Sequence, residues 1–445
     1  MQEISVNLIE KAIYQMCKEA NIRLPQVVYD KIKNAAKYDK QNEFILKNAQ
    51  IADRNERPLC QDTGQVIVFM SVGQDVHFIG GNINDAINKA VSDCYKENYF
   101  RKSVVKDALC NRLNTGDNSP AVIHYEFVSG DEVEIKIMIK GGGSENVTQT
   151  RMMTPTSSYE QICQAVFDMV KNAGRNACPP IFVGVGAGQT LENAVLLSKK
   201  AILEGSYDEN IYELLNNNLE IGFNRPVLDV KKMSASTHIA SLPLAVTILC
   251  HSNRYNSCVI KNNEIIYTTK LAQPDNIDVE YDEVSISAQN INDILNVPKG
   301  KKIMLNGRIY TARDAAHKKI IEMAKSGEKI PFQIQNSILF YAGPCPNTPD
   351  EISGPIGPTT SKRMDDFAIE LYKLGVAATI GKGERSECIL NYLTDSGKKY
   401  FEIQGGIASY LANCVKSSRV VAFENFGPEA VYELNVENLP LICVK

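Results

Sequence analysis

The 445-residue sequence predicts an α+β or mixed α/β protein in two domains, the larger one N-terminal. Three observations predict it. A chain this long exceeds what one hydrophobic core ordinarily supports. Helical spacing of apolar residues alternates along it with the two-residue period of strands. The stretch from Thr268 to Asp282, with Pro274-Asp275-Asn276 and several acids, keeps neither period. The expected organisation is an N-terminal domain over 1–270, a linker over 271–283 and a C-terminal domain over 284–445.

In order along the chain, Val6 to Met16, Asp85 to Cys94 and Tyr159 to Ala173 carry apolar residues at helical spacing. Ala121 to Phe127 and Glu132 to Ile139 alternate, and the intervening Ser129-Gly130-Asp131 predicts a hairpin that leads into Lys140-Gly141-Gly142-Gly143-Ser144. A strand at Ile181-Phe182-Val183 and a helix from Leu191 to Leu203 follow. Beyond the linker come strands at Lys302 to Leu305 and Arg308 to Thr311, a helix from Asp314 to Lys325 and a strand at Ile338 to Tyr341. There is no internal repeat.

Composition excludes several function classes. A net charge of −4 leaves no basic footprint for nucleic acid. The most apolar stretch, Ile239 to Cys250, is too short to span a membrane and runs straight into His251, Ser252, Asn253 and Arg254. Met1-Gln2-Glu3-Ile4 lacks the basic start of a secretion signal. Twelve cysteines without such a signal imply a reducing interior, so the cytoplasm is the expected compartment.

Three of those cysteines stand apart. Cys60 lies in Cys60-Gln61-Asp62-Thr63-Gly64, Cys178 in Cys178-Pro179-Pro180 ahead of Gly184-Val185-Gly186-Ala187-Gly188, and Cys250 in Cys250-His251 after His238-Ile239-Ala240-Ser241-Leu242-Pro243. The other nine have ordinary surroundings, with Cys345 in Gly343-Pro344-Cys345-Pro346 intermediate. A lone cysteine is usually a small buried hydrophobe. Structural zinc wants four ligands in close pairs, and no CxxC pair exists in this chain. A 4Fe-4S cube tolerates scattered ligands and is normally held by four thiolates, so three would leave one iron open as a Lewis acid.

Two glycine-rich loops invite a nucleotide, but Gln189 breaks the GxGxxG spacing after Gly184, and NAD binding is not expected. Backbone N–H groups there and in 141–144 suit an anion, or simply make tight turns. In the C-terminal part, Ile356-Gly357-Pro358-Thr359-Thr360-Ser361-Lys362-Arg363 joins a turn, hydroxyls and an arginine, the donors that grip a carboxylate. Arg313 and Lys382, in Ile380-Gly381-Lys382-Gly383, add positive charge.

The ordered set CQDTG, NTGDNSPA, KGGGSEN, CPPIFVGVG, HIASLPLAV with CH, YTARDAAH, GPTTSKRMD and IGKG resembles class I fumarases, oxygen-sensitive iron-sulfur hydro-lyases, with their alpha and beta parts fused. Tartrate dehydratases and mesaconate hydratases are similar, so the small dicarboxylate substrate is left open among fumarate or malate, tartrate and mesaconate. The resemblance implies a 4Fe-4S cluster on Cys60, Cys178 and Cys250. It makes Asp62 and His238 an acid/base pair and Thr359 a proposed proton-abstracting base, with Asp62 the competing candidate for that proton transfer. Gln61, Arg101 and Gly143 become substrate contacts of the first domain, and Arg313, Arg363 and Lys382 a carboxylate clamp of the second. It further implies a cluster-bearing first domain, a smaller swivelling second domain that closes over it, and a homodimer. A cluster sensor without turnover would need only the cysteines, so the intact Asp62, His238, Thr359 and Arg363 weigh against it.

The chemistry fits these residue types. Removing water requires a proton to leave a carbon next to a carboxylate while a hydroxyl departs from its neighbour, so cations and a Lewis acid belong at the two ends. Two places depart from the family pattern: Glu220 to Val227 replaces a glycine-rich run, and Gln189 stands where glycine is expected.

Overall fold

The computed structural model describes residues 2–279 and 283–445. The chain divides into two compact units, Met1–Ile277 and Asp278–Lys445. Of the expected linker, residues 280–282 lie outside the described ones, and the part before them is tied to the first unit. Ala272 donates its N–H to the Leu24 carbonyl (2.9 Å), and Asp275 pairs with Lys33 (2.7 Å).

In the first unit two five-stranded sheets are each covered by helices. One sheet runs in the order Glu264–Tyr267, Arg254–Lys261, Val133–Lys140, Gln65–Gly73, Val122–Val128. The helices Val6–Ile22 and Ile83–Glu97 lie in its core, burying Ile9, Ile13 and Met16 from the first and Ile87 and Val91 from the second against Val68, Met70 and Ile137. Ser5 and Asn82 open these helices by accepting backbone N–H groups that have no partner inside the helix.

The predicted hairpin does not form. Both strands exist, but Gln65–Gly73 lies between them, parallel to Val122–Val128 and antiparallel to Val133–Lys140. The inserted strand is buried at seven of its nine positions, a two-faced apolar run that belongs at a sheet centre. The Ser129-Gly130-Asp131 turn crosses its end instead, and a side chain at Gly73 would stand 2.4 Å from the Gly130 carbonyl oxygen.

The second sheet runs Gln149–Met153, Leu242–Cys250, Ile181–Gln189, Val227–Thr237, Ser206–Tyr207. Helix Tyr159–Ala173, opened by a capping box of Ser158 and Gln161, packs against it. Gly184, Gly186 and Gly188 are not a turn opening a helix, since all three lie inside the Ile181–Gln189 strand. Side chains at Gly184 and Gly186 would stand 2.1 Å from the carbonyl oxygens of Ser198 and Ala194, so the glycines exist to let helix Leu191–Glu204 lie directly on the strand.

A seven-stranded sheet forms the second unit in the order Val284–Ser287, Lys302–Thr311, Ile338–Phe340, Ala378–Gly381, Lys399–Glu402, Val431–Cys443, Val415–Ala422. Its first five strands are parallel neighbours, and Val431–Cys443 also pairs with Lys302–Thr311, closing the sheet on itself. The two short strands expected across 302–311 are one strand with an irregularity between Leu305 and Gly307. Helices Asp314–Ser326 and Asp365–Lys373 bury Ile320, Ala368 and Leu371 in the core of this unit.

Candidate active site

In the first unit, strand register carries two of the cysteines to one place. Cys250, last residue of its strand, pairs with Ile181, which follows Cys178 by three residues. Cys178 ends a short 3-10 turn in the left-handed conformation (φ 55, ψ 71), a setting that costs an L-residue of order 1–3 kcal/mol and persists at sites where the surroundings demand it. Cys60 comes from the loop ahead of Gln65–Gly73, its thiol 3.4 Å from Gln61 Oε1. Burial pushes the Cys60 thiol up to about 12, the nearby Cys250 adds to that, and the Arg254 guanidinium opposes it.

Asp62 is the best-positioned acid of the site. Gly64 N–H donates to its Oδ1 (3.0 Å) and Gly142 N–H to its Oδ2 (2.8 Å), which joins the CQDTG and KGGGS segments through one carboxylate. A side chain on Gly141 would come 2.9 Å from Asp62 Oδ2, so glycine is required for that approach. Gly143 lies in the short helical turn Gly142–Glu145 that follows. Arg101 is placed through its backbone: the Thr63 hydroxyl donates to the Arg101 carbonyl (2.8 Å).

Four residues that sequence reasoning gave no role hold this end together. The Tyr95 hydroxyl donates to the Thr63 carbonyl (2.5 Å). Asn118, fully buried, donates to the Gly64 carbonyl (3.0 Å) and accepts the Ser103 N–H (2.8 Å), which fixes 101–103 against 60–64. Its motif, NTGDNSPA, was the available signal. Lys140 and Arg254 are buried cations. Lys140 lies 3.1 Å from Glu145 Oε2, and burial lowers its ammonium to about 8. Arg254 donates to Asn21 Oδ1 (3.1 Å).

His238 is elsewhere. It sits exposed in the turn between Val227–Thr237 and Leu242–Cys250, its Nδ1 accepting the Ala240 N–H (3.1 Å), with Ile239 beside it 92% exposed. Strand Leu242–Cys250 separates that turn from Cys250, and eight steps at ~3.3 Å make roughly 26 Å. Within one chain His238 and Asp62 are not brought together.

In the second unit the expected residues gather at the carboxyl ends of parallel strands, the usual ligand edge of such sheets. Arg313 follows Lys302–Thr311 and Lys382 follows Ala378–Gly381. The Thr359 N–H donates to the Tyr341 carbonyl (2.7 Å), just beyond Ile338–Phe340, and the Lys382 N–H to the Thr359 carbonyl (3.3 Å). Arg363 Nη1 donates to Thr359 Oγ1 (3.4 Å) while its Nη2 pairs with Asp314 (2.7 Å). Arg313 pairs with Glu429 at 3.3 Å. A hydroxyl beside a guanidinium is a setting in which negative charge on that oxygen is stabilised.

The donor set of the first unit fits a cluster. Three cysteines from three segments are available, and two buried cations, Lys140 and Arg254, act electrostatically on Cys250 and Cys60 respectively, which suits an anionic thiolate assembly. Among the described residues no three His, Cys, Asp or Glu side chains close around a single metal ion. A cube, by contrast, takes its thiolates on separate irons. The altered 220–227 loop sits at the same end of the sheet: the Pro226 carbonyl accepts the Ile181 N–H (2.8 Å), and Asn224 is held by Asp39 (3.0 Å). No helix among the described residues is long and apolar enough to cross a membrane.

The family described as fumarate hydratase (fumerase) matches residues 10–259, and that described as fumarase C-terminus matches 258–445. Fumarate hydratase 2 of Leishmania major is 29% identical over 440 residues, covering 90% of this chain and 77% of its own length. The anaerobic class I fumarate hydratase of Escherichia coli (strain K12) is 28% identical over 443 residues, covering 89% and 79%. A putative L(+)-tartrate dehydratase subunit alpha of Methanocaldococcus jannaschii is 32% identical over 271 residues, covering 55% of this chain and 95% of its own.

Proposed function

The chain belongs to the fumarate hydratase family of hydro-lyases, and from that premise we propose that it interconverts (S)-malate and fumarate, with a 4Fe-4S cluster held by Cys60, Cys178 and Cys250. The observation that carries the proposal is the gathering of the CQDTG, KGGGS, CPP and CH segments at one end of the first unit. When bound, such a cluster offers an iron without a protein ligand, a Lewis acid for a substrate oxygen.

The chain's own residues do the rest. In the dehydration direction Thr359 Oγ takes the proton from the carbon next to a carboxylate. Thr359 first passes its own proton to solvent, which returns one to the Asp62 and His238 pair, and Arg363 at 3.4 Å lowers the cost of the alkoxide. The hydroxyl on the neighbouring carbon leaves as water after receiving a proton from the acid/base pair, Asp62 and His238. Arg313, Arg363 and Lys382 from the second unit and Arg101, Gln61 and the Gly143 N–H from the first bind the carboxylates, holding charge where it grows in the transition state.

His238 acts, in this proposal, in the site of a second copy of the chain within a homodimer. Its exposure, the fully presented Ile239 and the roughly 26 Å of strand between its turn and Cys250 support a role across subunits. A reducing cytoplasm suits the twelve cysteines, none of which forms a disulfide among the described residues.

The test is an anaerobic dehydration assay on cluster-reconstituted protein with L-malate, tartrate and a methyl-substituted malate at equal concentration. Preference for malate is expected. Preference for tartrate would select the second reading, which the tartrate dehydratase relative supports and which would turn attention to the 220–227 loop. Absence of turnover with the cluster intact would overturn both.

A further inference from the structure

Behind Thr359 and Lys382 lies a buried tyrosine that touches both of their loops. The Tyr400 hydroxyl is 2.9 Å from Ser361 Oγ and 2.7 Å from the Gly383 carbonyl oxygen, and the side chain is fully buried. A phenol has one proton and a carbonyl only accepts, so Tyr400 donates to Gly383 and accepts from Ser361. Ser361 stands two residues from both Thr359 and Arg363, and Gly383 follows Lys382. The Ser361 N–H donates to the Lys382 carbonyl (2.9 Å), so the hydroxyl reinforces a backbone bridge between the same two loops. Gly381 makes room for the clip, since a side chain there would stand 2.0 Å from Ser361 Oγ.

The ring is itself held. The Arg385 guanidinium lies 5.1 Å from the centre of the Tyr400 ring and 5.5 Å from that of Tyr341, whose carbonyl receives the Thr359 N–H. Arg385 is locked by Asp365, with Nε 2.5 Å from Oδ1, while Oδ2 accepts the Ser386 N–H (2.7 Å). Its charge is paired and its side chain is wholly buried, so it serves neither solvent nor substrate.

We infer that Tyr400 is a positioning residue for the reaction: its hydroxyl fixes the spacing between the Thr359–Arg363 loop and Lys382, and Arg385 holds the ring that carries it. This rests on the malate and fumarate reading above. Tyr400→Phe keeps the ring and removes the clip. In the full, cluster-loaded chain the variant is expected to lose about ten- to a hundredfold in kcat/KM, with KM raised and kcat lowered together, because carboxylate-binding and proton-abstracting groups share the loops. Iron content is expected to be unchanged, since the cysteine ligands are all in the other unit.

Hydrogen exchange gives a reading that needs no turnover. The amides of Ser361 and Lys382 are expected to exchange about tenfold faster or more in the variant, while the Ile338–Phe340 strand keeps its protection. Ser361→Ala removes the other partner and serves if Tyr400→Phe fails to fold. The double variant is expected to lose no more than Tyr400→Phe alone. A merely structural role would lower the amount of active protein, leave KM as it was and loosen the unit as a whole, and that result overturns the inference. So does unchanged exchange at the two loops, or an active wild type matched by an equally active variant. A wild type that turns over no dicarboxylate would instead sink the functional reading beneath it.

Discussion

At Asp62 two backbone N–H groups meet one carboxylate, and this decides how a substitution there behaves. Asparagine offers one oxygen and one NH2 group, so either Gly64 or Gly142 would face a donor instead of an acceptor, a loss of about 1–3 kcal/mol. The cysteines are untouched by that change. Under the proposed mechanism, Asp62→Asn is therefore expected to bind as much iron on reconstitution as wild type while turnover falls by roughly 10²- to 10⁴-fold, the range of a lost proton-transfer group. Iron analysis beside an anaerobic rate measurement checks it, and near-normal turnover would remove Asp62 from the mechanism. Gln189 shows the same economy at the backbone. The family resemblance leads one to expect glycine there, and the residue does adopt the left-handed φ of 53° that glycine takes without cost.

The helix Asp314–Ser326 carries a histidine whose titration belongs to the element's packing. His317 is fully buried against Tyr341 and Phe367, and burial, with a smaller push from Arg385 against the pull of Asp314, lowers it from 6.5 to about 3. The unfolded chain then binds a proton between those two values that the folded chain does not, so stability rises with pH across that window. The second unit is expected to lose about 1.4 kcal/mol per pH unit as pH falls from 6.5 toward 4, on the order of 3 kcal/mol in all. Denaturant titrations of wild type and His317→Leu at pH 7 and pH 4.5 compare the slopes, and equal slopes would rule His317 out as the cause. Strand Ile181–Gln189 makes a second element-scale prediction. The methyl of Gly186→Ala would meet backbone atoms of Ala194 and Ser198 at 2.1 and 2.4 Å, so the helix must lift, at about 1–3 kcal/mol or more. A urea midpoint equal to wild type would contradict it. These elements also mark what the sequence made legible. Amphipathic helices such as Tyr159–Ala173 were readable because their period is local. Strand partners were not: the alternation in 121–139 is real, yet which strand lies beside it depends on Gln65–Gly73, some fifty residues upstream. The glycines of 184–188 looked like a turn because only the packed helix reveals that they clear space.

Across the whole molecule, the three cysteines and the cationic loops stood out through the company they keep in sequence, whereas Tyr400 and Arg385 did not, because an interior tyrosine or arginine announces its partners only once folded. His238 is the informative disagreement. Its motif points to the site, but its turn stands at the far end of the sheet from Cys250. The two facts are compatible if a twofold dimer carries the turn of one subunit to the Asp62 end of its partner, an arrangement in which each site draws on both chains. Complementation separates this from a role within one chain. Asp62→Asn and His238→Asn are each expected to be inactive as homodimers. In a mixed dimer one site would receive Asp62 from one chain and His238 from the other, and its twin would receive neither. Statistical mixing makes half the dimers mixed with one working site in two, so coexpression of the two variants is expected to restore about a quarter of wild-type activity. Activity no greater than the sum of the separate variants, in a preparation shown to contain mixed dimers, would return His238 to its own chain and require a different proton donor opposite Asp62.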